Sequence, residues 1–389
     1  MSSFVLLETA TVAEPGRKHK LWIVDGVIAA TGENPDFTGK HEGAAHPTMT
    51  NHPGLSRTDF TALDTKGLFA SPGLIDLQMN GGPQCDLWQG PSKEELREMR
   101  LELAHCGVTA FLPTLITDSI ENLQRNIAFL SAEGASREPE AQVEPLSRML
   151  GIHLEGPCLS PAKPGVHPRE HIAPLTTAVL ERLLRPEIAL VTAALEEDQS
   201  GEAQALLNAR GVVTSLGHSN ATYEQAERAI ERGARLLTHV FNALPPLHHR
   251  NPGACGAALL NHHITCCLIA DGLHVSAQMC DLVYRLKGTD KTILVTDRAH
   301  IGTSQGGLVG SSITLDQAVK NMVDWGICSL EAAIEMASYN PARAIGLSHK
   351  LGRIQPGYFA DLAFFDKEHK VQMSMVGGTM VQQPANSAK

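Results

Sequence analysis

The chain has 389 residues, 43% of them hydrophobic, and a formal net charge of −10. That length supports a large core with room for a second, smaller domain, and the acidic balance without any Lys/Arg-rich run argues against a nucleic-acid partner or an anionic membrane surface. No stretch approaches the roughly 20 apolar residues that span a bilayer.

The first residues carry a short apolar stretch with no basic leader, which reads as a strand and not as a secretory signal. As far as about residue 70 the pattern alternates apolar and polar, in FVLLETATV, KLWIVDGVIAATG and DFTALDTKGLFAS. This predicts antiparallel strands joined by turns. Asn34 to Ser56, rich in Gly, Pro, His, Asn and Thr, is expected to be an exposed loop insertion. The strand pattern returns after residue 351, so residues 1–70 and 351–389 are expected to form one small β-sandwich domain.

Residues 71–350 alternate strand-like and helix-like segments. Eight strands are predicted: Leu74–Met79, Thr109–Leu112, Met149–Glu155, Ile188–Ala193, Val212–Leu216, Arg235–His239, Thr265–Ala270 and Thr292–Asp297. Helical patterns cover 92–107, 119–134, 200–211 and 220–233. In the last of these Asn220 is placed as the N-cap with Glu224 in the first turn, and Gly211 and Gly233 act as stops. Eight such units over about 280 residues predict a (β/α)₈ TIM-like barrel. The competing open, doubly wound sheet would bring together only strands near its switch point. The eight cysteines are scattered without a CxxC pair, which reads as reduced thiols in a cytoplasmic protein.

Four residues close apolar strand patterns: Glu155 in GIHLEG, His218 in VVTSLGHSN, His239 in LLTHVFNA and Asp297 in TILVTD. In a barrel all four would meet at the C-terminal mouth. Glu155, His218 and His239 can hold one divalent metal and leave a position for water, while Asp297 can move that water's proton. Zinc is the expected ion, with iron(II), cobalt(II) and manganese(II) as alternatives. Gln78 and Asn80, two apart on the first strand, share a face toward the mouth. As amides they are poor metal ligands, so a single metal is expected, with the two amides hydrogen-bonding around it.

The stretches SPGLIDLQMNGG (71–82), GVTAFLPTL (107–115), HLEGPCLSPAKPGVHP (153–168), LGHSNATYEQA (216–226), THVFNALPPLHHRNPGACGAAL (238–259), ADGLHVS (270–276), LVTD (294–297) and NPARAIGL (340–347) resemble the N-acetylglucosamine-6-phosphate deacetylases of the amidohydrolase superfamily. The resemblance implies hydrolysis of N-acetyl-D-glucosamine 6-phosphate to D-glucosamine 6-phosphate and acetate. It implies Glu155, His218 and His239 as metal ligands and Asp297 as the proton carrier. His274 then steadies the developing oxyanion. Val166, His167, Asn242, Ala243 and the backbone of Leu308, Val309 and Gly310 are the implied substrate contacts. Arg250 is the implied phosphate ligand, reaching the neighbouring site in a homodimer or homotetramer.

One departure stands out. After LVTD the family usually continues through a longer β-hairpin that walls the substrate, whereas here about ten residues separate Asp297 from Leu308. Arg298 and His300 are bulky in that place. The shortened loop sets two alternatives beside the main reading: a weakly active or inactive sugar-phosphate-binding variant, and an amidohydrolase acting on a different N-acyl substrate.

Overall fold

The computed structural model describes residues 3–11, 18–32, 59–140, 144–300, 303–304 and 307–382; the loop expected at Asn34 to Ser56 lies outside them. Eight parallel strands follow in chain order around a barrel: Leu74–Met79, Val108–Ile116, Ile152–Glu155, Ile188–Ala193, Val213–Leu216, Leu236–Leu237, Thr265–Leu268 and Thr292–Leu294. Each overlaps a predicted segment, with two local differences. The third is broken at Gly151, whose φ of +109° and whose approach to the Glu187 carbonyl, 2.7 Å from where a Cβ would stand, leave no room for a side chain. The sixth is regular only at Leu236–Leu237, because the chain turns away at His239.

Alternation along the strands sorts their side chains. Phe111, Leu154, Val191, Leu216, Leu237 and Leu268 pack outward against the helices. Leu77, Leu112, Leu190, Leu236, Ile269 and Val295 form a second cluster that fills the barrel, with Leu347 and Leu351 packed against it. Toward the C-terminal ends the interior turns polar: the His153 Nε2 meets Thr192 Oγ1 at 2.8 Å, and Thr192 meets Thr238 Oγ1 at 2.7 Å. Burial pushes the His153 imidazole down to about 4, so it is a neutral strut beneath the mouth.

The helices start where their caps dictate. Ser92 and Glu95 form a reciprocal capping box on helix Lys93–His105. For helix Tyr223–Glu231 the cap is Thr222 with Gln225, not Asn220 with Glu224. Asn220 is drawn off instead, its N–H donating to Glu196 Oε1 at 2.6 Å.

Strands from both chain ends form one seven-stranded sheet, in the order Thr379–Met380, Val371–Val376, Leu362–Phe365, Thr61–Pro72, Phe4–Thr11, Lys18–Val24, Val27–Thr31. Most neighbours are antiparallel as expected, but Thr61–Pro72 runs parallel to Phe4–Thr11. The other edge of Phe4–Thr11 is taken by Lys18–Val24, so the chain returns along the free edge in the same direction. It then continues through Gly73 into the first barrel strand. No helix among the described residues is long and apolar enough to cross a membrane.

Sheet and barrel are joined by a buried ion pair. Arg148 Nε lies 2.8 Å from Asp361 Oδ2, both side chains 3% exposed, and the guanidinium sits 4.7 Å over the Phe359 ring. Asp361 Oδ1 also accepts the Gly377 N–H at 2.6 Å. Replacing Arg148 by Met strands a buried carboxylate and is expected to cost about 3–5 kcal/mol in urea unfolding. Adding Asp361→Asn, which keeps an acceptor without the charge, is expected to return about half of that loss.

Candidate active site

Glu155 ends the third strand, 2% exposed. Its Oε1 lies 2.9 Å from His239 Nε2, 3.2 Å from His218 Nε2 and 2.9 Å from the Gln78 Nε2 that donates to it. The two imidazole Nε2 atoms are 3.1 Å apart. Burial alone would raise the carboxyl, but hydrogen bonds and charge from the two imidazoles hold it well below the usual carboxylate range. For His239 burial is again the largest influence, and the Glu155 carboxylate outweighs it and raises the ring.

His218, His239 and Asp297 all have left-handed backbone, with φ of 46°, 28° and 50°. Residues with a Cβ avoid this region, at a cost of order 1–3 kcal/mol each. The turn breaks strand alternation immediately after the last paired residues and aims the side chains into the mouth. Gln78 reaches the same place by a related device. Leu77 belongs to the cluster filling the barrel, yet the adjacent Gln78 touches Glu155; a register shift between Asp76 and Met79 permits both.

Asp297 shares a cavity of about 180 Å³ with the Glu155 cluster. Burial, then the Glu155 charge, pushes its carboxyl up to about 7, against the opposing pull of His239 and of the Asn80 hydrogen bond. Asn80 Nδ2 donates to Asp297 Oδ1 at 2.7 Å. The two strand-one amides therefore divide their work, Gln78 on Glu155 and Asn80 on Asp297.

His218 donates from Nδ1 to the Lys163 carbonyl at 3.0 Å, which turns its Nε2 toward Glu155 and His239. Geometry alone also admits His167 as a ligand, since Glu155, His167 and His218 offer donor atoms within 4.8 Å of one another. The tautomer speaks against it. Thr117 N–H donates to His167 Nδ1 at 3.2 Å, so the ring proton sits on Nε2 and the residue presents a donor to the cavity. Burial, then His218, pushes His167 down to about 3, which keeps it in that neutral form.

Of the other expected substrate contacts, Val166, Asn242, Ala243, His274 and Gly310 line the cavity. Gly310 has φ +63°, and a Cβ there would stand 2.5 Å from the Asp297 carbonyl. Leu308 pairs with Thr303 in a two-residue antiparallel ladder, so a short hairpin crosses where the sequence raised the prospect of a lost segment; Val309 links it to Gly310. Arg250 is exposed and does not line the cavity. Arg298 and His300 are tied down: Arg298 Nη2 bonds Glu102 Oε1 at 2.7 Å, and His300 Nδ1 bonds the Gly82 carbonyl at 2.9 Å.

Sequence reasoning missed three residues. Trp88 and Ile116 line the cavity, and Asp271 takes His274 Nδ1 on its Oδ2 at 2.6 Å while accepting the His274 N–H at 2.8 Å. The Asp-x-x-His spacing in ADGLHVS was a usable signal for Asp271, because an Asx turn brings residue i+3 back to the carboxylate. With Nδ1–H committed to Asp271, His274 Nε2 donates when the ring carries both protons.

Residues 69–381 match the amidohydrolase family. The chain is 30% identical to the N-acetylglucosamine-6-phosphate deacetylase of Lysinibacillus sphaericus, over 99% of each chain. It is 34% identical to the N-acetylgalactosamine-6-phosphate deacetylase of Shewanella sp. (strain ANA-3), over 80% of this chain and 82% of that one. A mutant N-acetyl-D-glucosamine-6-phosphate deacetylase from Mycobacterium smegmatis, solved in complex with N-acetyl-D-glucosamine-6-phosphate, aligns with a TM-score of 0.81 at 26% identity, covering 98% of this chain and 100% of that one. The match runs from the sheet through the whole barrel and back into the sheet, and the chain belongs to the amidohydrolase family.

Proposed function

We propose that the chain hydrolyses N-acetyl-D-glucosamine 6-phosphate to D-glucosamine 6-phosphate and acetate. The observation that carries this reading is the convergence of Glu155, His218 and His239 donor atoms within 3.2 Å of one another, with Asp297 in the same cavity. Relatives named for this reaction, one of them solved with N-acetyl-D-glucosamine-6-phosphate, supply the substrate.

The donor set fits one divalent cation, because two imidazole nitrogens and a carboxylate oxygen already point at one another, with the Gln78 amide beside Glu155 and the Lys163 carbonyl behind His218. Zinc suits this set, and iron(II), cobalt(II) and manganese(II) are also accommodated by it. When bound, the cation polarises the acyl carbonyl and acidifies the attacking water.

The chain's own groups do the rest. Asp297 takes a proton from the water as it attacks the carbonyl carbon, and as the conjugate acid it can give that proton back. The proton goes to the amide nitrogen, the C–N bond breaks, and the amine and acetate separate. His274, held by Asp271, donates to the oxygen on which negative charge develops. His167 Nε2–H donates to a sugar oxygen. Arg250, exposed on its loop, reads as the phosphate ligand for the site of a neighbouring subunit in a homodimer or homotetramer. Eight free cysteines, most of them buried, suit the reducing cytoplasm. The 4-epimer, N-acetyl-D-galactosamine 6-phosphate, is the second reading, favoured by the 34% identity to an enzyme named for it.

Acetate release from the two epimers, measured side by side with metal content, tests the reading; absence of release from both in metal-loaded protein would sink it. Glu155→Ala is expected to lose the metal and with it all turnover. Asp297→Asn is expected to keep the metal and lower kcat by about 10²-fold or more, and retained activity would remove Asp297 from its role. Asp271→Asn is expected to lower kcat by about tenfold with KM little changed, because it frees the His274 ring without touching the sugar.

A further inference from the structure

The cavity that holds the reacting groups has a larger neighbour. A second cavity of about 340 Å³, against 180 Å³ for the first, lies beside it, and Trp88, Ile116 and Val166 line both. Those three side chains are therefore the wall between the two. Leu115 and Leu123 line the second cavity, together with Thr117, Asn126 and the ionisable Asp118, Glu170 and His171.

Within the first cavity the polar groups are already engaged. Glu155, His218, His239 and Asp297 line it, and His167, His274 and Asn242 line it with them. The acyl chain is the apolar part of the substrate, bonded directly to the carbonyl carbon under attack. It needs an apolar wall next to Asp297 and Glu155. Trp88 meets that need: its Nε1–H donates to Asn80 Oδ1 at 3.4 Å, and Asn80 in turn donates to Asp297 Oδ1 at 2.7 Å. Two hydrogen bonds thus set the indole at a fixed distance from the group that protonates the leaving nitrogen.

Resting on the deacetylase reading above, we propose that Trp88 is the residue that sets acyl-chain length, and that the cavity behind it takes N-acyl groups longer than acetyl once the indole is removed. The wall confines wild-type protein to short acyl groups. Without it, the two cavities join into one slot, where a chain of several methylenes would lie against Leu115, Ile116 and Leu123.

The test is the ratio of kcat/KM for N-hexanoyl- to N-acetyl-glucosamine 6-phosphate, in metal-loaded wild type, Trp88→Ala and Trp88→Phe. Trp88→Ala is expected to raise the ratio by about tenfold or more. Trp88→Phe keeps a wall but loses the Nε1 donor. It is expected to hold the ratio near the wild-type value while kcat on the acetyl substrate falls, and it keeps the test valid if the alanine variant does not fold. A Trp88→Ala protein that loses activity equally on both substrates overturns the proposal, since that result belongs to an indole stacked on the sugar ring. A Trp88→Phe protein whose ratio rises as far as that expected for alanine overturns it too. Wild type that cleaves neither substrate overturns the deacetylase reading itself.

Discussion

Glu155 is a carboxylate taken out of water, and the rest of the site is arranged around keeping it charged. An isolated buried carboxylate would neutralise itself instead of bearing the desolvation cost. Here three donors or cations converge on one oxygen: the Gln78 amide and the His218 and His239 rings. The same convergence makes the cluster a ready cation site, because each partner of the carboxylate is itself a metal ligand or a fixed support. The negative charge that results is also what helps hold Asp297 protonated up to about 7. One buried charge thus shapes the cation site and, after burial, adds to the rise of the Asp297 carboxyl.

Below that charge the barrel is graded. Its lower interior is aliphatic, its next layer is the His153, Thr192 and Thr238 network, and its mouth carries Glu155, His218, His239 and Asp297. The grading has a physical reason. Hydroxyls and a neutral imidazole can satisfy one another without water, so they bridge between a dry core and a charged site at little cost.

The barrel, its strand order and the four strand-end groups were legible from the sequence, since apolar runs of strand length ending in a lone carboxylate or imidazole announce both an element and where it stops. The N-terminal sheet was legible as strands, but the parallel pairing of Thr61–Pro72 was not, because alternation carries no direction. The Asn220 cap failed because a competing carboxylate, Glu196, lies far away in sequence and near in space. Trp88 was invisible for a similar reason: an aromatic in a loop gains meaning only from the wall it forms. The left-handed backbone at His218, His239 and Asp297 leaves only a weak trace in residue type, since histidine and aspartate enter that region more often than most residues yet still seldom.

The short crossing after Asp297 reads differently once its bonds are traced. Asp297 N–H donates to the Gln78 carbonyl at 2.9 Å and Asn80 N–H to the Arg298 carbonyl at 2.8 Å, so this segment joins the eighth strand to the first. Arg298 is 6% exposed and anchored on Glu102, and Ser311 N–H returns to the Asp297 carbonyl at 2.8 Å. The main chain at Asp297 and Arg298 thus closes the seam, while the Arg298 and His300 side chains anchor the segment on Glu102 and Gly82. The bonds that shut the barrel are the bonds that fix Asp297. Hydrogen bonds on both its N–H and its carbonyl hold the left-handed backbone of Asp297 in place.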